Sequence, residues 1–428
     1  MKVLLVHNFY QKLGGEDVSV DAEADLLESR GHEVIRYSRR SADVSTMPAW
    51  KVALGAVWSP RTFLEVRALI KSRRPDVLHC TNNFPLVSPS VYEAASVESV
   101  PVVQALRNYR SMCANACFFR NDKPCEICLT KSIAWPAVVN ACYKSSRTAS
   151  SIFLAWQWMQ RAADSKISRY YTLTDFARTK YLAAGFDPDR VDVKPNFIDP
   201  DPGPGPRDGG YALFAGRLSP EKGIEVLLKA WRIVGDRGLL KIVGDGPDQP
   251  LVQQALAEGL RCEYLGQQPQ NEVLNLAGGA SFVIMSSTVF ETFGRTIIEA
   301  FSRGVPVIVP RLGALGELVR DGVTGLCFEP GDSEGLARCA IELIGNPSLC
   351  RRMGEAARLE YERHYTADAN HLKLVSIYQR AIETQRGGSS DPRKSEDHLR
   401  QPAGEHSAHS GSLACALPSD APDSPASH

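Results

Sequence analysis

The sequence predicts a doubly wound α/β architecture made of two Rossmann-like domains. Short apolar runs alternate with helical stretches along most of the chain. The alternation breaks at a Pro- and Gly-rich stretch near residue 200 and then restarts. At 428 residues the chain is also longer than one typical domain.

In the first half, Val3-Leu-Leu-Val6 reads as a buried strand and Glu16 to Arg30 as a helix closed by Gly31. Glu16 and Asp17 fall in its first turn, where the helix dipole favours acids. Glu33 to Tyr37 is the next strand, followed by Asp76–His79, Pro101–Leu106, Tyr170–Leu173 and Val191–Val193. Strands alternating with helices imply a parallel sheet covered on both faces. Asp199-Pro-Asp-Pro-Gly-Pro-Gly-Pro206 sustains neither helix nor ladder and reads as a linker. The second half restarts with strand Tyr211–Ala215, helix Gly223–Val234 and strand Leu239–Val243. Further on, strand Ser281–Met285, a glycine-bearing turn, a helix from Thr296 to Arg303 and strand Val305–Val309 follow in order. The expected organisation is therefore a first domain at 1–198, a linker at 199–209, a second domain at 210–366 and a terminal helix at 367–385. A tail at 386–428, nearly devoid of bulky apolar residues, is expected to be disordered.

Composition narrows the function classes. The chain is 43% apolar and 23% charged with a formal net charge of +0, so no global field favours nucleic acid. No apolar run approaches the roughly 18 residues that span a bilayer, and the apolar start is too short for a signal-peptide core, so a cytoplasmic protein is expected. Eleven cysteines in so long a chain point to thiols or a metal site, not to a disulfide scaffold.

The most informative span is Glu291-Thr-Phe-Gly-Arg-Thr-Ile-Ile-Glu299, two glutamates with seven residues between them at the strand–turn–helix junction. The turn sets Gly294 at a helix N-terminus, where free N–H groups and the dipole attract phosphate. Glu299, inside the helix, can reach ribose hydroxyls, and Glu291, before it, the hydroxyls of a second ring. Phosphate between two polyols describes a nucleotide-sugar.

With Phe293-Gly294 after the first glutamate and Gly304-Val-Pro-Val-Ile308 after the second, this span resembles the donor signature of retaining GT-B glycosyltransferases of family 4. That group includes glycogen-synthase-like and sucrose-synthase-like enzymes. The resemblance runs over residues 1 to 380 and includes Gly14-Gly15-Glu16, Lys194-Pro-Asn196, Gly216-Arg217, Lys222-Gly223 and Val243-Gly-Asp-Gly-Pro247. It implies the two-domain GT-B fold, a nucleotide-diphosphate-sugar donor and a saccharide or lipid-linked acceptor, in polysaccharide or glycoconjugate assembly. By the same resemblance Arg217 and Lys222 bind the diphosphate in place of a divalent metal, so catalysis needs no cofactor. Gly15 faces the diphosphate across the cleft, Phe293 and Gly294 belong to the donor site, Glu299 holds the ribose and Glu291 orients the transferred sugar. Retention then follows from same-face substitution, with a donor phosphate oxygen taking the acceptor's proton.

Two departures bear on the reacting centre. Relatives commonly carry His-x-His-Asn after the third strand and a histidine after the fourth, whereas this chain has His79-Cys80-Thr81-Asn82 and Leu106-Arg107-Asn108. Arg107 and Asn108 become the candidates at the reacting centre, with Arg107 able to contact phosphate or a sugar hydroxyl. The substitution leaves open a nucleotide-sugar-binding relative without turnover. An epimerase on the same scaffold would use other carboxylates of the first domain, and the pyridoxal-lysine motif of a phosphorylase is missing. The Gly14-Gly15 loop is not a Gly-x-Gly-x-x-Gly fingerprint, which argues against a dinucleotide dehydrogenase.

Two further features lie beyond the fourth strand. Cys113, Cys117, Cys125 and Cys128, with Cys142 further on, suit a structural zinc held by four thiolates; reduced, packed or redox-active thiols are the alternative. Between Lys131 and Lys180 there are eight Lys or Arg and two Asp, with Phe153, Trp156 and Trp158 nearby. Such a face docks an anionic membrane carrying a lipid-linked acceptor, or is a solvated helix surface over core aromatics.

Overall fold

Strands that are apolar on both faces must be covered on both faces, and the chain does this twice. In the computed structural model, which describes residues 1–11, 14–121 and 123–388, the first half runs β1 (Lys2–Phe9), α1 (Gly15–Ser29), β2 (Glu33–Arg40), α2 (Ala49–Val57), α3 (Pro60–Arg73), β3 (Val77–Asn82), α4 (Ser90–Val97) and β4 (Val102–Leu106). A short antiparallel hairpin, β5 (Phe119–Arg120) and β6 (Lys123–Pro124), comes next, then α5 (Pro136–Val139), α6 (Arg147–Ala162), β7 (Arg169–Thr172), α7 (Asp175–Ala183) and β8 (Val191–Val193). The sheet is parallel in the order β2-β1-β3-β4-β7-β8. Sequence reading assigned nothing to residues 41–75, which hold α2 and α3. The signal was there for α3: Ser59 caps it by accepting the Thr62 N–H at 3.2 Å, and Pro60 occupies its first position.

The second half repeats the plan with β9 (Tyr211–Ala215), α8 (Ile224–Val234), β10 (Leu239–Val243), α9 (Gln249–Ala257), β11 (Cys262–Tyr264), α10 (Gln270–Gly279) and β12 (Phe282–Ile284). It continues with α11 (Arg295–Ser302), β13 (Val307–Pro310), α12 (Gly313–Leu318), β14 (Gly325–Phe328), α13 (Ser333–Gly345), α14 (Pro347–His364) and α15 (Ala367–Gly388). Its sheet is also parallel, in the order β11-β10-β9-β12-β13-β14. In both sheets the winding direction reverses beside the first strand, between β1 and β3 and between β9 and β12. Ligands of open α/β sheets bind at such switch points, outside the carboxyl ends of the strands. The loops after β1, β3, β9 and β12 are therefore the ones to examine.

The stretch expected to be a linker has neither helix nor strand from 199 to 210, yet it is pinned to the second half. Gly205 N–H donates to Arg303 O at 2.8 Å and Arg207 N–H to Gly278 O at 2.9 Å, while the Arg303 guanidinium holds Pro202 O at 2.6 Å. The terminal helix α15 returns to the first sheet: Leu374, Ile377, Tyr378 and Ala381 are buried in one core with Val3 and Val77. Residues 1–386 form one compact unit. Of the tail expected to be disordered, residues 389–428 lie outside the described residues.

Candidate active site

The candidate donor side is assembled by two loops that close on each other. Gly223, at φ 69°, sits so near the chain after β12 that a Cβ would lie 1.9 Å from Ser286 O, and Ser286 Oγ donates to Lys222 O at 2.9 Å. This contact brings Lys222 Nζ to 2.5 Å from Glu291 Oε1, which also accepts from Ser287 Oγ at 2.8 Å. Burial would raise the Glu291 carboxyl, but Lys222 and then Ser287 outweigh it and hold the group below the usual carboxylate range. Gly294 heads α11 at φ 91°, where a Cβ would meet Leu315 Cδ2 at 2.6 Å. The helix has no side-chain cap; Ile297 N–H donates to Gly294 O at 2.9 Å, and the N–H groups ahead of it lie at the helix end, where they can bond an anion. Arg217 is exposed, and among the described residues no carboxylate pairs with it.

Glu299 is 5% exposed, and its Oε1 accepts from Arg295 Nε at 2.9 Å and Gln270 Nε2 at 2.7 Å. Phe293 departs from expectation. It is 2% exposed and packs edge-on against Tyr365 with ring centroids 6.1 Å apart, so it anchors the donor loop in the core instead of lining the donor site.

Across the cleft, Gly15 begins α1, and the space that a Cβ at Gly14 or Gly15 would fill is open. A polar relay that sequence reading missed fixes this loop. Buried His7 stands between Thr81 Oγ1 at 2.7 Å and Asp17 Oδ1 at 2.9 Å, and Asp17 also accepts the Gly14 N–H at 3.1 Å and the Tyr10 N–H at 3.3 Å. Thr81 thus ties the end of β3 to the glycine loop. The one signal for this was an acid in the first turn of α1, ten positions after a histidine at the end of β1. Asn108 Nδ2 donates to Glu16 Oε2 at 3.1 Å, which also accepts from Tyr10 OH at 2.8 Å. The two walls touch where Arg295 Nη1 reaches Ser19 Oγ at 3.1 Å and Tyr109 OH reaches Glu291 O at 3.2 Å.

Arg107 is a correction. Its side chain is 1% exposed; Nη2 lies 2.5 Å from Glu23 Oε1, Nη1 donates to Asn196 Oδ1 at 3.0 Å and Nη2 to Tyr171 OH at 3.2 Å. Lys194, also fully buried, pairs with the same Glu23 and donates to Asn370 Oδ1 of α15 at 3.0 Å. Burial would raise the Glu23 carboxyl, yet Arg107 and Lys194 hold it far below the usual range. Arg107 is therefore held in a buried cluster, where it and Lys194 share the one carboxylate of Glu23. His79 likewise serves the core, between Tyr171 OH at 3.1 Å and Tyr378 OH at 2.8 Å. Arg110, three residues on, does face the cleft. Its guanidinium carbon lies 5.5 Å from the Tyr10 and Phe84 ring centroids, Nη1 donates to Asn82 Oδ1 at 3.4 Å, and it forms no ion pair among the described residues. It lines a cavity with Thr81, Asn82, Asn108, Trp156 and Gln160.

Among the described residues no group of three or more His, Cys, Asp or Glu, Cys113, Cys117, Cys125 and Cys128 included, is placed to hold a metal ion. Burial pushes the Cys117 thiol up to about 12, with Cys113 the first of the ionisable groups near it. Burial also pushes Cys128 up to about 12, with Cys113, Cys142 and Cys125 near it.

Two family models match adjacent parts of this chain: "Glycosyl transferase 4-like domain" over residues 14–196 and "Glycosyl transferases group 1" over 200–360. The chain belongs to the family 4 glycosyltransferases of the GT-B fold. An uncharacterized glycosyltransferase of Methanocaldococcus jannaschii is 28% identical over 174 residues, which span 40% of this chain and 48% of that relative. The glycogen synthase of Mycobacterium tuberculosis is 25% identical over 403 residues, 84% of this chain and 89% of its own length. Among solved structures, Anabaena HepE in complex with UDP has a TM-score of 0.63 at 19% identity, covering 90% of this chain and 100% of that one. Sucrose-phosphate synthase of Thermosynechococcus elongatus has a TM-score of 0.66 at 16% identity, covering 89% and 99%. In this family 4 glycosyltransferase the structure brings Lys222, Glu291, Gly294 and Glu299 into one donor-side group, with Arg217 on the loop that carries Lys222. Gly15 and Asn108 stand on the opposite wall, and Arg107, at the edge of the cavity that Asn108 and Arg110 line, has its guanidinium turned to Glu23.

Proposed function

We propose that this chain is a retaining glycosyltransferase that moves a sugar from a nucleotide-diphosphate-sugar to a saccharide or lipid-linked acceptor, in polysaccharide or glycoconjugate assembly at the cytoplasmic side of a membrane. The observation that carries this reading is the Lys222–Glu291 pair at 2.5 Å beside the uncapped N-terminus of α11. The diphosphate would lie on the free N–H groups and Arg217, with Lys222 shared between phosphate and Glu291. Glu299 would hold the ribose through the carboxylate oxygen that Arg295 and Gln270 leave free, and Glu291 would orient the sugar.

In the reaction the acceptor oxygen bonds to the anomeric carbon as the bond to the diphosphate oxygen breaks. The acceptor's proton passes to a phosphate oxygen, and the new bond forms on the face the diphosphate leaves. The chain's part is to position the partners and to stabilise charge growing on the diphosphate, the term that preorganised cations and N–H donors supply best. The test is slow hydrolysis of UDP-glucose and other nucleotide-sugars, followed by NMR of the released sugar before it equilibrates. Release with the donor's anomeric configuration supports retention; an inverted sugar overturns it, and a chain that binds donors without hydrolysing them is a binding relative.

A further inference from the structure

Three short helical elements of the first half share one small core and turn their other sides to solvent. Ala56 of α2, Ala134 and Ala137 at α5, and Phe153 and Trp156 of α6 are buried together with Phe84, and α2 and α5 both pack on α6. Phe153 and Trp156 are thus core residues. The outer sides are apolar as well. Trp50 and Leu54, one turn apart on α2, are 62% and 65% exposed; Trp135 and Val139, at α5, 56% and 59%; and Trp158 of α6, 56%. Of the chain's six tryptophans the four exposed ones, Trp58 included, all belong to this region. The exposed large apolar residues of the second half, such as Ile233, Leu251, Val323 and Leu359, are aliphatic and lie on separate elements.

The charge on this layer has one sign. Residues 47–64 and 130–163 contain no Asp or Glu. Lys51, Lys131, Lys144 and Arg147 are exposed, and among the described residues none of them pairs with a carboxylate. A protein–protein contact depletes lysine at its core, whereas tryptophan over lysine and arginine is the composition that settles at a bilayer surface, the rings at headgroup depth and the cations on anionic lipid. No helix among the described residues is long and apolar enough to cross a membrane, so the contact would be peripheral.

We infer that the outer side of the α2–α5–α6 layer docks on an anionic lipid bilayer. The inner side of α6, through Trp156 and Gln160, walls the cavity that Arg110 lines, so the same helix would face the membrane on one side and this cavity on the other. A lipid-linked acceptor would then meet the cleft about one helix diameter, roughly 10 Å, from the headgroups. The docking does not depend on the glycosyl-transfer reading; the lipid-linked acceptor does.

Flotation of the full chain with phosphatidylcholine vesicles, with and without phosphatidylglycerol, tests this. The wild type is expected to float with the anionic vesicles, less so at high salt, with a blue shift of tryptophan emission. Trp50→Ser/Leu54→Ser/Trp158→Ser should weaken binding about a hundredfold or more, and Lys131→Gln/Lys144→Gln/Arg147→Gln by about fivefold per cation. Both variants should keep wild-type melting temperature and UDP-glucose hydrolysis in solution, since none of these residues touches the donor site. Wild type that ignores anionic vesicles overturns the inference, as does a dimer by light scattering that the aromatic variant converts to monomer. Loss of hydrolysis with vesicle binding intact would count against the proposed function alone.

Discussion

Arg107 and Arg217 each follow a central strand of a parallel sheet, and the two halves of the molecule use them in opposite ways. In the first half Arg107 is buried on Glu23 with Lys194 beside it, and the cluster fastens α1, β4 and α15 together. In the second half Arg217 is exposed with no carboxylate among the described residues paired to it, on the loop that carries Lys222 toward Glu291. A cation left unpaired at a switch point is available to a ligand, whereas a cation paired in the core is already spent. Residue type is alike in the two cases; strand position, burial and partner differ, since Arg217 follows the first strand of its sheet and Arg107 the fourth strand of its own.

The largest expected effects sharpen that contrast. Arg107→Met removes the guanidinium's hydrogen bonds to Asn196 and Tyr171 and one of the two cations on buried Glu23, leaving Lys194 to pair it, and should cost about 1.5–3 kcal/mol in denaturant unfolding, with donor affinity of the folded fraction unchanged. A variant as stable as wild type but inactive would return Arg107 to the reacting centre. Arg217→Ala should do the reverse. Its stability should stay within about 0.5 kcal/mol of wild type, while turnover should fall about 10²- to 10³-fold, as read by stopped assays at saturating donor. Wild-type activity should also survive brief EDTA treatment; immediate loss restored only by magnesium or manganese would assign the diphosphate's charge partner to a metal.

Next in size is the division of labour between the two glutamates. Glu299→Ala should weaken nucleotide binding by about 1.5–3 kcal/mol, measured calorimetrically, whereas Glu291→Ala should act mainly on turnover. Wild-type donor affinity and turnover in both would break the assignment.

The smallest effect is in pH dependence. Because the Glu291 carboxyl is held down, its ionised form and the stability of its pair with Lys222 are fully present above the ordinary glutamate range. Both are lost as pH falls through the depressed folded value. The acidic limb of the rate profile should thus lie below the ordinary glutamate pKa of about 4.3. In Lys222→Met the lowering partner is gone and burial remains, so the limb should move to higher pH. An unmoved limb would separate Lys222 from Glu291 in function.

The donor side was legible because its residues are local. Glu291, Gly294 and Glu299 lie within one strand–turn–helix unit, and the 216–223 loop meets it because β9 and β12 are neighbours in a parallel sheet. Strand alternation and a glycine-marked turn carry that information in a single stretch of sequence. The opposite wall draws on residues far apart: His7 with Thr81, Glu16 with Asn108, Arg110 with Asn82. No local pattern states which of these meet, and so Arg107 looked available and Phe293 looked like a donor contact. The sequence by itself determined the two parallel sheets and the phosphate-ready turn, because both follow from periodicity and helix-end chemistry. Only the tertiary structure decided which cations are neutralised and which tryptophans remain outside, because those depend on what packs against them from distant parts of the chain.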